Sequence, residues 1–220
     1  MGETEKDRKP RVIRVSSSQS FQGAVKKAAE VLSCGGLVAY PTESFYGLAV
    51  DATDEAAIKR LFSIKKRQTS RPVLILIPSE NALVKYVIRI PPITQQLIKE
   101  FWPGALTLVF EAGPLISPLL TGGTGKIGIR FSSNAVATAL TRAMGVPITG
   151  TSANISGKPP CLNVTEVLEY FGQGVDLILD DGESKGKIAS TVLDITVDPP
   201  LILRKGIIDR GRLEKIFQCR

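Results

Sequence analysis

Short aliphatic runs alternate along this chain with amphipathic segments of helical period, and no other feature restricts the fold as much. LVAYP (37–41) and PVLILI (72–77) read as buried strands. Between them, DEAAIKRLFSIKK (54–66) sets Ile58, Leu61, Phe62 and Ile64 on one helical face. Upstream, RVIRV (11–15) reads as a short strand. SQSFQGAVKKAAEVLS then reads as a helix capped by Ser18, apolar at Phe21, Val25, Ala28, Ala29 and Leu32, and stopped by Gly35 and Gly36. The order is β-α-β-α-β.

The pattern continues less regularly. A helix is expected around ITQQLIKEF, and strands at ALTLVF and KIGIRF. NAVATALTRAM reads as a helix capped by Ser132 or Ser133 and ended by Gly145. VPIT is a short strand, and VTEVLEYF a helix. The strands VDLIL, STVLDI and PLILR precede a closing helix, RGRLEKIF. The stretches TESFYGLAVD and TSANISGKPP read as loops. The expectation is one α/β domain over residues 11–220, with a twisted mixed parallel and antiparallel sheet flanked by helices. Residues 1–10 read as a disordered tail.

Composition removes several function classes. The chain has no histidine, which excludes a Ser-His-Asp triad, a Cys-His pair and every His-ligated metal site. Cys34, Cys161 and Cys219 never form a C-x-x-C pair, which argues against a disulfide framework or a thiolate zinc site. No stretch approaches the roughly 20 apolar residues of a membrane span, and MGETEKDRKPR lacks a signal peptide's apolar core. A cytoplasmic protein without membrane contact is expected. The net charge of +7 favours polyanions such as RNA, DNA or nucleotide phosphates.

The charges are concentrated. Lys65, Lys66, Arg67 and Arg71 stand directly before the run PVLILI, where burying a cation is costly unless an anion meets it. Arg130 and Arg204 likewise end the aliphatic strands IGIR and LILR. One strand-terminal arginine is ordinarily an exposed edge charge; three cationic strand boundaries are read as converging on one cavity. TGTSANISG (149–157) follows an apolar strand with Thr149, Thr151, Ser152, Asn154 and Ser156, suited to phosphate oxygens or a ribose, or to an ordinary Ser/Asn turn. YPTESFYGL (40–48) presents Glu43 as a general base, a metal ligand or a plain loop carboxylate. Gly123, Gly125 and Gly128 match the dinucleotide fingerprint, but a strand follows where the motif needs a helix, so a plain loop is expected.

Together, YPTESFYGLAVDA, IKKR, FWPGALTLV, IGIR, TSANISG, ASTVLDI and LILRKG, in this order over about residues 21–210, resemble the YrdC-like family. Its members are threonylcarbamoyl-adenylate synthases. The resemblance implies a sheet enclosing a basic cavity. The implied reaction joins L-threonine, bicarbonate (or CO₂) and ATP, with Mg²⁺ accompanying the nucleotide, to give threonylcarbamoyl-AMP and pyrophosphate. This is the first step of N6-threonylcarbamoyladenosine formation in tRNA, completed by a downstream threonylcarbamoyl-transferase complex. It further implies catalytic charge from Lys65 and Arg67. ATP binding falls to Arg67, Arg71, Lys126, Ser152, Asn154 and Arg204, and threonine binding to Ser44, Arg130, Gly150 and Ser190. No protein metal ligand is implied.

Ser44 stands where the family usually has threonine, Arg71 for asparagine or lysine, Leu76 for a histidine and Lys205 for proline. The rival reading is a non-catalytic protein binding tRNA or double-stranded RNA. That reading expects aromatics interleaved with the cations as stacking platforms, yet none lies within 63–85.

Overall fold

In a computed structural model, which describes residues 10–15, 18–184, 186 and 188–218, the strands fall into two sheets. The tail expected over 1–10 lies outside the described residues except for Pro10, and so does the Ser18 side chain. One sheet holds β1 (Arg11–Arg14), β9 (Leu177–Asp180), β2 (Val38–Pro41), β3 (Tyr46–Ala49) and β8 (Thr151–Ser152), in that spatial order. The other runs β11 (Leu201–Arg204), β10 (Thr191–Asp194), β5 (Leu106–Glu111), β6 (Lys126–Arg130), β4 (Ile75–Leu76) and β7 (Ile148–Thr149). Both mix orientations: β1 and β2 are parallel to β9, whereas β2–β3 and β5–β6 are antiparallel. The expected single mixed α/β domain holds, with its strands divided between two sheets.

The helices are α1 (Ser18–Ser33), α2 (Glu55–Ile64), α3 (Thr94–Phe101), α4 (Pro118–Thr121), α5 (Ala135–Met144), α6 (Val164–Phe171) and α7 (Arg210–Gln218). The apolar stripe of α1 buries Ala24, Val25, Ala28, Ala29 and Leu32. Its small alanines permit close packing with α5, and together these helices cover Val38, Tyr40, Leu177 and Leu179 of the five-stranded sheet. The larger core lies between the sheets, α2 and α6, around Leu48, Ile58, Leu61, Ile75, Leu108, Ile129 and Phe171. Asp54 caps α2 by accepting from the Ala56 and Ala57 amides.

Three local expectations need correction. YGLA is a strand, not a loop: Tyr46–Ala49 is zipped on both sides, to β2 and to β8. Of VLILI, only Ile75–Leu76 is laddered between β6 and β7; Leu74 and Ile77 on either side make single backbone hydrogen bonds, to Gly150 and Arg130. The cap of α5 is Asn134, whose side chain accepts from the Val136 and Ala137 amides; Ser132 supports it by accepting from the Asn134 amide.

One junction links the two sheets directly. β7 and β8 are separated by a single residue, Gly150, and belong to different sheets. Thr149 secures this passage, its hydroxyl donating to Leu48 O and accepting from Val50 N. A side chain on Gly150 would overlap Leu74, so the two sheets approach as closely as they do because glycine stands there.

Candidate functional site

Arg67, Arg130 and Arg204 come from the loop after α2, the end of β6 and the end of β11, and all three line one cavity of about 240 Å³. The convergence expected of the three strand boundaries is therefore present. Ser44, Gly150, Ser152, Asn154 and Ser190 line the same cavity, and among the described residues its lining contains no carboxylate. Desolvation, together with the like charges of Arg71 and Arg204, holds Arg67 below the ordinary arginine range. Partial desolvation and Arg130 do the same to Arg204. Crowded cations without lining carboxylates form a pocket in which an anion is stabilised.

Protein acceptors hold two of the three guanidinium groups. Arg67 donates from Nε to Arg71 O at 3.3 Å and from a terminal nitrogen to Pro72 O at 2.7 Å. Arg204 donates to Ser190 O at 3.0 Å and to Ser190 Oγ at 2.8 Å. Arg130 differs. It is 4% exposed, its Nε has no hydrogen-bond partner among the described residues, and its counter-charge is Glu43 Oε2 at 3.8 Å.

Of the three roles open to Glu43, the geometry matches the loop carboxylate. Its Oε1 accepts from Ser132 Oγ and Ser133 N, both at 2.6 Å, and from Ser133 Oγ at 3.3 Å. Burial raises its pKa, but Arg130 and these hydrogen bonds outweigh burial and hold the group below its ordinary value. Such a carboxylate is a poor base. Among the described residues, no cluster of three or more carboxylates or thiols is placed to hold a metal.

Lys65 does not line the cavity. Its side chain is 1% exposed, and Nζ donates to Ser152 O at 2.5 Å, Asn154 O at 2.8 Å and Asn154 Oδ1 at 3.3 Å. Desolvation, with help from Arg67, pulls its pKa down to about 7. Lys65 thus grips the back of the loop whose front presents Ser152 and Asn154. That loop is also braced internally, Ser152 Oγ donating to Asn154 Oδ1 and Asn154 Nδ2 to Lys158 O, each at 2.7 Å.

Arg71 is exposed and outside the lining; its backbone carbonyl, not its side chain, orients Arg67. Lys126 is also outside the lining, because its ammonium pairs with Asp194 at 2.9 Å. Gly123 and Gly125 belong to the α4–β6 connection and do not line the cavity. Thr42 and Gly47 of YPTESFYGL and Thr151 of TGTSANISG line it as well, and so does Phe45, which the sequence reading did not single out. The signal for Phe45 was the β2–β3 hairpin, hidden when 42–51 is read as a loop. Glycine is needed at position 47 because the Tyr40 ring crowds it: a methyl group on Gly47 would meet that ring at 3.0 Å.

A family model covering the Sua5, YciO and YrdC proteins, described as "Telomere recombination", matches residues 30–206. The chain belongs to this family. The threonylcarbamoyl-AMP synthase of Pyrococcus abyssi (strain GE5 / Orsay) is 38% identical over 193 residues, covering 88% of this chain and 57% of the relative. The corresponding enzyme of Bacillus subtilis (strain 168) is 34% identical over 194 residues, covering 88% and 56%. The chain therefore spans little more than half the length of these Sua5/YciO/YrdC relatives. A crystal structure of P. abyssi Sua5 complexed with L-threonine superposes with a TM-score of 0.88 at 36% identity, covering 94% of this chain and 60% of that one. E. coli YciO superposes with a TM-score of 0.80 at 28% identity, covering 90% and 96%.

Proposed function

We propose that this chain forms threonylcarbamoyl-AMP and pyrophosphate from L-threonine, bicarbonate or CO₂, and ATP. The observation that carries the reading is the convergence of Arg67, Arg130 and Arg204 on one cavity that also displays Ser44 and Ser190. The names of its relatives and the threonine complex of P. abyssi Sua5 support it.

In this reading the threonine nitrogen bonds to the carbon of CO₂ and loses a proton, giving a carbamate. A carbamate oxygen then attacks the α-phosphorus of ATP, the bond to the β-phosphate oxygen breaks, and pyrophosphate leaves. Alignment and charge stabilisation suffice for both steps, which suits a chain without histidine. Arg130 takes the threonine carboxylate as a two-pronged donor, with Ser44, Ser190 and the Gly150 backbone around the rest of the amino acid. Arg67 and Arg204 receive the phosphates, Arg71 and Lys126 add charge at the nucleotide's approach, and Ser152 and Asn154 hold the nucleotide. Lys65 serves by fixing their loop. ATP would bring Mg²⁺ with it, and the metal would supply further neutralisation of phosphate charge beside Arg67 and Arg204.

The product passes to a threonylcarbamoyl-transferase complex that modifies tRNA. No helix among the described residues is long and apolar enough to cross a membrane, and the setting proposed is the cytoplasm. The test is pyrophosphate release from ATP, with threonine, bicarbonate and Mg²⁺ omitted in turn. Release that needs all three is expected. No release above background, with salt-sensitive tRNA binding intact, would replace this reading by an RNA-binding module.

A further inference from the structure

We infer that Glu43 is a positioning residue, holding the Arg130 guanidinium in the orientation that receives an amino-acid carboxylate. The inference rests on the proposed reading of the site for its ligand, but its geometry is independent of that ligand.

Glu43 follows β2 in one sheet, and Arg130 ends β6 in the other. The carboxylate spans the gap between them. Oε1 is saturated by donors from Ser132 and Ser133, the residues that continue the chain just beyond Arg130. The backbone leaving β6 is thereby tied to the loop that carries Ser44. With Oε1 anchored, Oε2 is left facing Arg130 at 3.8 Å, buried and, among the described residues, without a hydrogen bond of its own. Two buried polar atoms, Glu43 Oε2 and Arg130 Nε, thus belong to an incomplete pair.

A closed, bidentate pair would occupy the guanidinium edge that a ligand needs. No counter-charge at all would leave a cation buried alone, at a large desolvation cost. The observed spacing lies between these extremes. It offsets the charge of Arg130 while keeping donors available, and it fixes the direction in which they point. The other groups facing Arg130 do not substitute for Glu43. Arg204 is a like charge, and the Tyr40 hydroxyl donates to Thr149 O.

The test compares wild type with Glu43→Gln and Ser132→Ala by calorimetry, using L-threonine, threoninol (which lacks the carboxylate) and ATP. Glu43→Gln is expected to weaken threonine binding roughly thirtyfold while changing threoninol and ATP by less than about threefold. Ser132→Ala, which keeps the charge but removes one donor to Oε1, should give a smaller loss with the same selectivity. Equal losses for threonine and threoninol, or unchanged threonine binding, would overturn the inference.

A second readout needs no ligand. In ¹⁵N-edited spectra the Arg130 Nε–H signal should be sharp and slow to exchange in wild type and broadened in Glu43→Gln, with the Arg204 signal unmoved. An Arg130 signal indifferent to the substitution overturns the positioning role. If wild type binds no threonine, the proposed function falls and this spectrum alone decides the role of Glu43.

Discussion

The two ends of β6 carry cations on the same face of the same strand, four residues apart, and treat them differently. At one end Lys126 meets Asp194 at 2.9 Å, and the carboxylate is completed by the Thr196 amide and hydroxyl. Both charges there are satisfied within the protein. At the other end Arg130 is more deeply buried, yet its pair with Glu43 stays open at 3.8 Å and its Nε is unpartnered among the described residues. The closed pair ties β6 to β10, while the open one leaves a buried donor without a protein partner among the described residues. The openness of the pair, more than the presence of charge, separates the two ends of β6.

Arg130→Met puts this contrast under the greatest strain. It should lower kcat/KM for threonine-dependent pyrophosphate release at least about a hundredfold. It should also destabilise the fold by roughly 3 kcal/mol, because Glu43 is left as a buried, unpaired charge, and a denaturant titration checks this. If stability falls without loss of activity, the open pair is only structural.

Lys65→Met comes next. Loss of three contacts to the 152–154 loop should weaken ATP binding about tenfold, with threonine affected less. Its pH behaviour gives a separate check. The Lys65 pKa is about 7 in the folded chain against an ordinary 10.5, so above pH 7 the unfolded state binds the extra proton. Wild-type stability should therefore gain a rising contribution from about pH 7 towards 10.5, absent below that window. Denaturant midpoints at about pH 7 and about pH 9.5 should differ less in Lys65→Met than in wild type.

At the closed end, Lys126→Met should cost about 1 kcal/mol or less, since the lysine is partly solvated, and raise the KM for ATP only a few-fold. A hundredfold loss would mean that this pair opens for the nucleotide, and the contrast between the two ends would fail. The smallest effect is expected for Arg71→Ala. Its carbonyl, which holds Arg67, survives the substitution, so the change should be a modest weakening of ATP binding that fades as salt is raised.

Several elements were legible because their cause is local. The α1 and α2 stripes follow from helical period, and Asp54 and Gly145 mark helix ends by side-chain and backbone chemistry that needs no distant partner. Others depended on neighbours. YGLA reads as a turn, with a glycine after a cluster of Thr, Glu and Ser, and becomes β3 because β2 and β8 supply hydrogen bonds on both sides. Ser132 reads as a plausible cap for α5, but Glu43, 89 residues away, accepts its hydroxyl hydrogen, and Asn134 caps the helix instead.

Residue type and spacing are enough to establish the alternation of strands and helices, the absence of histidine chemistry and the cations at three strand boundaries. They do not establish which of those cations remain open to a ligand. Lys65 precedes an aliphatic strand and Lys126 and Arg130 bound another, and position in the sequence does not say which of them stays open. Their fates follow from groups brought up from elsewhere in the chain. Carbonyls of the 152–154 loop take Lys65, Asp194 of β10 takes Lys126, and Glu43 of the other sheet stops short of Arg130. Hydrogen bonds and Coulomb attraction act over a few ångströms of space, and folding alone sets which residues come that near.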